Sequence, residues 1–364
     1  MAEERMLLQS NEAVGWAALA ADCMCYFGYP ITPQNEIIEW FAREFPKRGK
    51  IFIQSQCETG ASNMLYGAAA CGVRAINSTS GPGWGLMQEA ISNAANAEIP
   101  FVIVLVQRGG PGAGTTNHAQ MDYISTTKGG GQGGYKTPVL APNSPQDTYY
   151  LVQYAFHMAD RLRTPVIILS DGIVGQMMEP VELKKYDFGP LPAKDWAITG
   201  FAHRKSGQRL ALSCAQGWSA QPPYSTYQSF LQHLNEKYPS IIENEQKWET
   251  WNTDDAKLIL VAYGYTSRVC LEAAMMARAE GLKVGLIRPI TLWPFPAKII
   301  QEKVAQGARF LVVEDSLGQM VEDVRCVVQG KTDVHFLGVL ARHNPGPAGL
   351  IFPGRVLQEV KKLL

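Results

Sequence analysis

Two hydrophobic periods take turns along this chain. Short apolar runs bounded by Gly, Pro or charge read as strands: a run ending at Tyr29, IFIQ (51–54), RAINSTS (74–80), FVIVLVQ (101–107), TPVLAP (137–142) and TPVIILS (164–170). Between them the apolar positions recur at helical spacing, over 11–24 with Asn11 as N-cap, then 33–45, 58–71, 84–97 and 145–162. FVIVLVQ is apolar without a break, as expected of a strand buried on both faces. ETGASNMLYGAAAC (58–71) is rich in small residues, which suits close packing on a sheet. A Gly-rich stretch, 109–134, interrupts the series. Such strand–helix alternation predicts an α/β fold, with a parallel sheet covered on both faces and ligands at the carboxyl ends of its strands.

A second α/β block follows. Its strands are KLILVAYG (257–264), KVGLIRP (283–289), RFLVVED (309–315) and VHFLGVL (334–340). Its helices are expected over 266–280, 296–306, 318–329 and 354–363. The run 180–255 is rich in Pro, Gln, Tyr and charge, and only a helix near 226–238 stands out. The expected division is a first domain over 1–185, a connecting region over 186–255 and a second domain over 256–364.

Length and composition narrow the classes. A chain of 364 residues holds two or three domains of roughly 100–200 residues each. Lys plus Arg equals Asp plus Glu at 33 each, so no global field draws in nucleic acid or an acidic membrane. Charge is low, at 18%, which suits a surface partly covered by other subunits. No apolar run approaches the length of about 18 residues that a membrane span needs. MAEERMLLQSNEA carries acidic residues and lacks a long apolar core, unlike a signal peptide. The seven cysteines are scattered without a CxxC, which reads against zinc or iron–sulfur ligation and for a reduced, cytoplasmic protein. Cys23 and Cys25 are either small core residues or a redox pair.

The candidate chemistry sits at strand ends. Thr32-Pro33 in GYPITPQNEIIEWF fits an N-cap and first helical residue, yet a strand also delivers the chain there to a helix N-terminus able to hold a carboxylate. Arg108 ends FVIVLVQR, where a cation either faces solvent or pairs with a carboxylate. Glu58 opens a helix after a strand, as a dipole-favoured start or as a carboxylate for a protonated heterocycle. STSGPGWG (78–85) lacks the Lys of a P-loop and the spacing of a dinucleotide loop. SDG (170–172) lacks the Asn that a metal–diphosphate motif needs, since the next Asn is Asn235. The histidines are dispersed: His157 reads as structural, and His118 and His343 fall in loops. No GxSxG or HExxH occurs.

YFGYPITPQNEI, TSGPGWGLMQEAI, IPFVIVLVQRGGPGAG, KGGG, SDGIVGQMMEPVE, LIRPITLWPFP and GQMVEDVR together resemble the alpha subunits of the 2-oxoacid:ferredoxin oxidoreductases, nearest the 2-oxoisovalerate (3-methyl-2-oxobutanoate) type, with the 2-oxoglutarate type nearby. The motifs span most of the chain. The resemblance implies a thiamine diphosphate pyrimidine-binding domain joined to a transketolase C-terminal-like domain. It implies a beta subunit that binds the cofactor's diphosphate through Mg²⁺ and carries a [4Fe-4S] cluster, a ferredoxin-like subunit, in some assemblies a gamma subunit, coenzyme A as co-substrate and ferredoxin as acceptor. Glu58 then matches the glutamate that holds N1′ of the aminopyrimidine and favours its imino tautomer. Thr32 matches the threonine at the substrate, and Arg108 the arginine on the substrate carboxylate. Ser80, Gly81 and Gly83 are expected to shape the same pocket.

One departure stands out: relatives often read GGGHGDY where this chain reads GGGQGGY, with Gln132 and Gly134 at the changed positions. That loop is expected to face the active site, which leaves branched-chain, aryl and dicarboxylic 2-oxoacids open. The rival readings are a complete thiamine decarboxylase or transketolase and a non-catalytic assembly subunit. A missing metal–diphosphate motif counts against the first.

Overall fold

Two parallel sheets, laid out as the alternation predicts, carry the chain. The computed structural model describes residues 5–200, 215–216, 219–220, 224, 226–339 and 350–364. In the first block the elements are β1 (Arg5–Gln9), α1 (Ser10–Ala20), β2 (Cys25–Gly28), α2 (Asn35–Glu44), β3 (Ile51–Gln54), α3 (Glu58–Ala70), β4 (Ala75–Thr79), α4 (Gly81–Ala97), β5 (Val102–Gln107), α5 (Tyr123–Thr127), β6 (Val139–Leu140), α6 (Pro145–Leu162), β7 (Val166–Asp171), α7 (Gly172–Gln176) and β8 (Met178–Glu182). Then follow β9 (Ala215–Gln216), β10 (Ser219–Ala220), α8 (Tyr227–Asn244), β11 (Trp248–Trp251), β12 (Leu258–Val261), α9 (Gly264–Ala279), β13 (Val284–Pro289), β14 (Thr291–Trp293), α10 (Ala297–Ala305), β15 (Arg309–Val313), α11 (Met320–Val328), β16 (Val334–Leu337) and α12 (Pro353–Leu363).

The larger sheet runs β14-β6-β7-β5-β4-β2-β3, and the smaller runs β11-β13-β12-β15-β16. Each is parallel except at one edge, where β14 and β11 pair antiparallel. β5 shows why its sequence carries no polar alternation. Val102, Val104 and Val106 enter the core beneath α1, α2 and α6, while Ile103 and Leu105 enter the one beneath α3 and α4. Both faces being dry, each side chain contributes roughly 1.5–3 kcal/mol of burial.

Several expected boundaries move, each because a tertiary bond outweighs a local signal. Asn11 is not the N-cap: α1 starts at Ser10, and the Asn11 amide donates to Pro33 O at 2.9 Å and Glu36 Oε2 at 2.7 Å. Thr32 is likewise not the cap of α2. The helix starts at Asn35, with Gln34 as its cap, and the Thr32 and Pro33 carbonyls accept from Arg108 Nη1 and the Asn11 amide. The expected helix near 226–238 runs to Asn244 through Pro239. Its last turn is anchored by buried Ile241 and by Glu245, which receives the Arg161 guanidinium at 2.9 Å. The Gly-rich stretch holds a short helix, α5, and the 180–255 run supplies β11 to the smaller sheet.

The two blocks are tied through polar groups that no local pattern announces. β14, from the second block, completes the edge of the first sheet beside β6. Asp171, fully buried, accepts from the Tyr265 N–H at 2.9 Å and the Gln120 amide at 3.3 Å, and caps α7 through the Val174 N–H. The SDG aspartate is thus structural, and its burial pushes the carboxyl up to about 6. Gly264 sits at φ +59°, and a Cβ there would lie 2.2 Å from Asp171 Oδ2. Gly264→Ala is expected to lower stability by roughly 2–4 kcal/mol, combining left-handed strain with displacement of a buried carboxylate. A urea titration that moves the midpoint by less than the scatter between replicates would refute this.

Cys23 and Cys25 are both free and buried. The Cys23 thiol donates to Cys25 O, and burial pushes it up to about 12, the environment of a core residue rather than of a reactive thiolate. His157 lies against the Phe188 ring, and burial lowers its pKa. His118 pairs with Asp315 at 2.9 Å, and His343 lies outside the described residues. Among the described residues no helix is long and apolar enough to cross a membrane.

Candidate active site

The amino end of α4 is where the candidate residues gather. β4 delivers the chain to Ser80, the N-cap, in extended backbone, and Gly81-Pro82-Gly83 form the first turn. Ser80 makes no side-chain capping bond, and its buried hydroxyl has no partner among the described residues. On one side of this turn lies Glu58, the first residue of α3, 7% exposed. A Cβ at Gly83 would fall 2.6 Å from Glu58 Oε1 and 2.2 Å from Thr79 Oγ1, so glycine is what lets the carboxylate lie against α4. That carboxylate makes no hydrogen bond or ion pair to a described residue. A largely buried carboxylate without a partner among the described residues fits a ligand that brings its own donor.

On the other side lies a cavity of about 740 Å³, walled by Gly81, Trp84, the Arg108–Ala113 loop, Met121, Asp122 and Gln319. Arg108, just past the end of β5, donates from Nη1 to Thr32 O at 3.0 Å and from Nη2 to Ala113 O at 2.9 Å. Carbonyls hold it, and among the described residues no carboxylate forms an ion pair with it and its buried Nε has no partner. The guanidinium is therefore positioned and still able to receive an anion.

The six expected site residues are thus only partly brought together. Arg108 and Gly81 line the cavity. Thr32 is not a lining residue; its carbonyl fixes Arg108, and its Oγ1 accepts from the Asn35 amide at 3.4 Å. Glu58 and Gly83 touch each other on the far side of the α4 turn, outside the cavity wall. The GGGQGGY loop needs correction. Gly130 reaches the cavity, but Gln132 and Gly134 line a separate one of about 250 Å³ between α4 and α8, where Gln132 Oε1 accepts from Ser92 Oγ at 2.9 Å. The Gly130 N–H donates to Gln88 Oε1 at 3.2 Å and to the Tyr135 hydroxyl at 3.3 Å, and the chain leaves the cavity wall after that glycine.

Sequence reading missed Asp122, Trp84 and Gln319 as wall residues. Gln319 was legible only as part of GQMVEDVR. Its amide clamps the loop from the second block, donating to Met121 O at 2.8 Å and accepting from the Ile124 N–H at 2.8 Å. Asp122 lay in a stretch read as an interruption. Its carboxyl is pushed up to about 6 by burial, only partly offset by the Arg108 backbone N–H and charge. Among the described residues no group of three or more His, Cys, Asp or Glu is placed to hold a metal ion.

Comparison with known proteins fits this geometry. Residues 16–247 match the family described as pyruvate flavodoxin/ferredoxin oxidoreductase, thiamine diphosphate-binding, and residues 256–347 match the pyruvate:ferredoxin oxidoreductase core domain II. The ketoisovalerate oxidoreductase subunit VorB of Methanothermobacter marburgensis is 44% identical over 331 residues, covering 91% of this chain and 92% of that protein. The 2-oxoglutarate synthase subunit KorA of the same organism is 34% identical over 356 residues, covering 92% of this chain and 94% of the relative. Among solved structures, the 2-oxoglutarate:ferredoxin oxidoreductase from Magnetococcus marinus, with 2-oxoglutarate, coenzyme A and succinyl-CoA bound, superposes with a TM-score of 0.83 at 25% identity. That match covers 99% of this chain and 65% of the longer one. A split-gene transketolase shares the fold alone, with a TM-score of 0.59 at 14% identity over 97% of this chain and 95% of that one. An α/β chain with both matched domains, at this identity and coverage, belongs to the 2-oxoacid:ferredoxin oxidoreductase family, as one subunit of an oxidoreductase.

Proposed function

We propose that this chain is the alpha subunit of a cytoplasmic, thiamine diphosphate-dependent 2-oxoisovalerate:ferredoxin oxidoreductase, which releases CO₂, forms the acyl-coenzyme A and passes two electrons to ferredoxin. The observation that carries the substrate reading is the cavity wall. Arg108 is its cation among the described lining residues, and Trp84, Pro111, Ala113, Met121 and Leu317 supply apolar surface. One cation suits one carboxylate, and an apolar wall suits a branched alkyl group. A dicarboxylic 2-oxoacid would need a second cation where this wall offers Asp122.

Thiamine diphosphate, when bound, supplies the nucleophilic carbon and the electron sink for decarboxylation. Glu58 would hold a proton at N1′ of its aminopyrimidine, a role supported by its lack of a partner among the described residues. Arg108 would hold the substrate carboxylate, Thr32 would sit beside it, and Ser80, Gly81 and Gly83 would keep the turn between them narrow. The diphosphate, Mg²⁺ and the [4Fe-4S] cluster belong in this reading to a beta subunit and a ferredoxin-like subunit, with a gamma subunit in some assemblies.

The test is 2-oxoacid-dependent viologen reduction by this chain alone and by the assembled complex, with thiamine diphosphate, Mg²⁺ and coenzyme A. 2-Oxoisovalerate, 2-oxoglutarate, pyruvate and an aryl 2-oxoacid would be compared. Activity is expected only in the complex, with 2-oxoisovalerate preferred. A preference for 2-oxoglutarate would overturn the substrate, and inactivity of a fully loaded complex would leave the assembly-subunit reading.

A further inference from the structure

The wall of the 740 Å³ cavity carries one cation and one acid among its described residues, Arg108 and Asp122. A monoanionic substrate drawn to Arg108 therefore arrives next to a second carboxylate. Among the described residues only the Arg108 backbone N–H and charge engage the Asp122 carboxyl. Asp122 occupies the N-cap position of α5 yet makes no capping bond, and its Oδ2 is buried without a partner among the described residues. Both of its oxygens lie 3.4 Å from where a Cβ on Gly81 would stand, so the carboxyl faces the first turn of α4. Its backbone is pinned: the N–H donates to Gln107 Oε1 at 3.1 Å, and the carbonyl receives Ser125 and Thr126. The side chain is thus held in place by its main chain and left with an open oxygen.

We propose, on the basis of the 2-oxoacid reading above, that Asp122 binds the substrate as a neutral carboxylic acid, donating a hydrogen bond from its carboxyl to an oxygen of the 2-oxoacid beside Arg108. The site then takes up one proton together with its anion. The proton comes from solvent onto the Asp122 carboxylate, and no covalent bond changes. The neighbouring charges are consistent with this. Arg108 is the cation facing the carboxyl, and Tyr263 stands behind Gln107 with its hydroxyl pushed well above its usual range by burial. From α11, Asp323 is already engaged by Tyr123 and Lys128. With the free carboxyl near 6, a second carboxylate raises it further, so binding is strongest below that value and weakens as pH rises through it.

The experiment is kcat/KM for 2-oxoisovalerate between pH 5.5 and 8.5, using the assembled complex with wild-type chain, Asp122→Asn or Asp122→Ala. Taking the ratio of each variant to wild type cancels titration of the cofactor and substrate. The D122N/wild-type ratio is expected to rise about tenfold per pH unit above about pH 6.5, because the amide keeps a donor and carries no charge. D122A, lacking the donor, should stay below D122N throughout. Flat ratios in a complex that oxidises the acid would overturn the role of Asp122 and leave the proposed function standing. No oxidation of any 2-oxoacid by the loaded wild-type complex would overturn both.

Discussion

Glu58→Gln is expected to lower 2-oxoacid-dependent viologen reduction by roughly 10²-fold or more, the usual scale for losing a positioned proton-handling group. Glutamine keeps the shape beside Gly83 but cannot hold a proton at N1′. The fold should be indifferent. The carboxylate makes no bond to a described residue, so the change costs only its favourable place in the first turn of α3, about 0.3–1 kcal/mol. Activity, melting temperature and thiamine diphosphate affinity, the last by fluorescence quenching, should be measured together. Full activity would remove the assigned role. Lost activity with an equal collapse in melting temperature would make Glu58 a structural residue instead.

Arg108→Ala is expected to reduce kcat/KM for the 2-oxoacid by roughly 10²-fold, because a desolvated carboxylate loses its charged partner, a cost of about 2–5 kcal/mol. Most of the change should appear in KM. Arg108→Lys should recover only part of it, since an ammonium cannot bond Thr32 O and Ala113 O in a fork and still face the cavity. A purely structural role in holding the 109–114 loop would instead move kcat and melting temperature together. Added guanidinium ion separates the two cases. It should partly restore the Ala variant if the charge is what matters, and do nothing if the loop is.

How much of this could be read beforehand depended on whether the signal was local. β5 was legible because burial on both faces leaves a continuous apolar run, and α6 because it keeps helical spacing from Pro145 to Leu162. Arg108 and Glu58 were legible as candidates because a strand end and a helix start are visible in the sequence. The antiparallel edge strands β11 and β14 were not, since four and three residues carry little periodicity and their pairing partners are remote. Asp122 was hidden for a related reason. Its carboxyl acquires meaning only when the turn from Gln107 and the clamp from Gln319 bring it against Gly81. Gln132 shows the reverse error: the resemblance suggested that its loop faces the active site, yet only Gly130 reaches the cavity and Gln132 lines another.

The sequence by itself determined the two α/β blocks, the burial of their central strands and, through its ordered motifs, the family. Hydrophobic period and short-range chemistry are properties of neighbouring residues, so they survive without coordinates. The tertiary structure alone decided that Asn11 takes the Pro33 carbonyl, that Asp171 joins the blocks, and that one cation and one acid line the same cavity. Each of those depends on groups far apart in the chain meeting where water is excluded, and no local pattern records which buried donor will reach which acceptor.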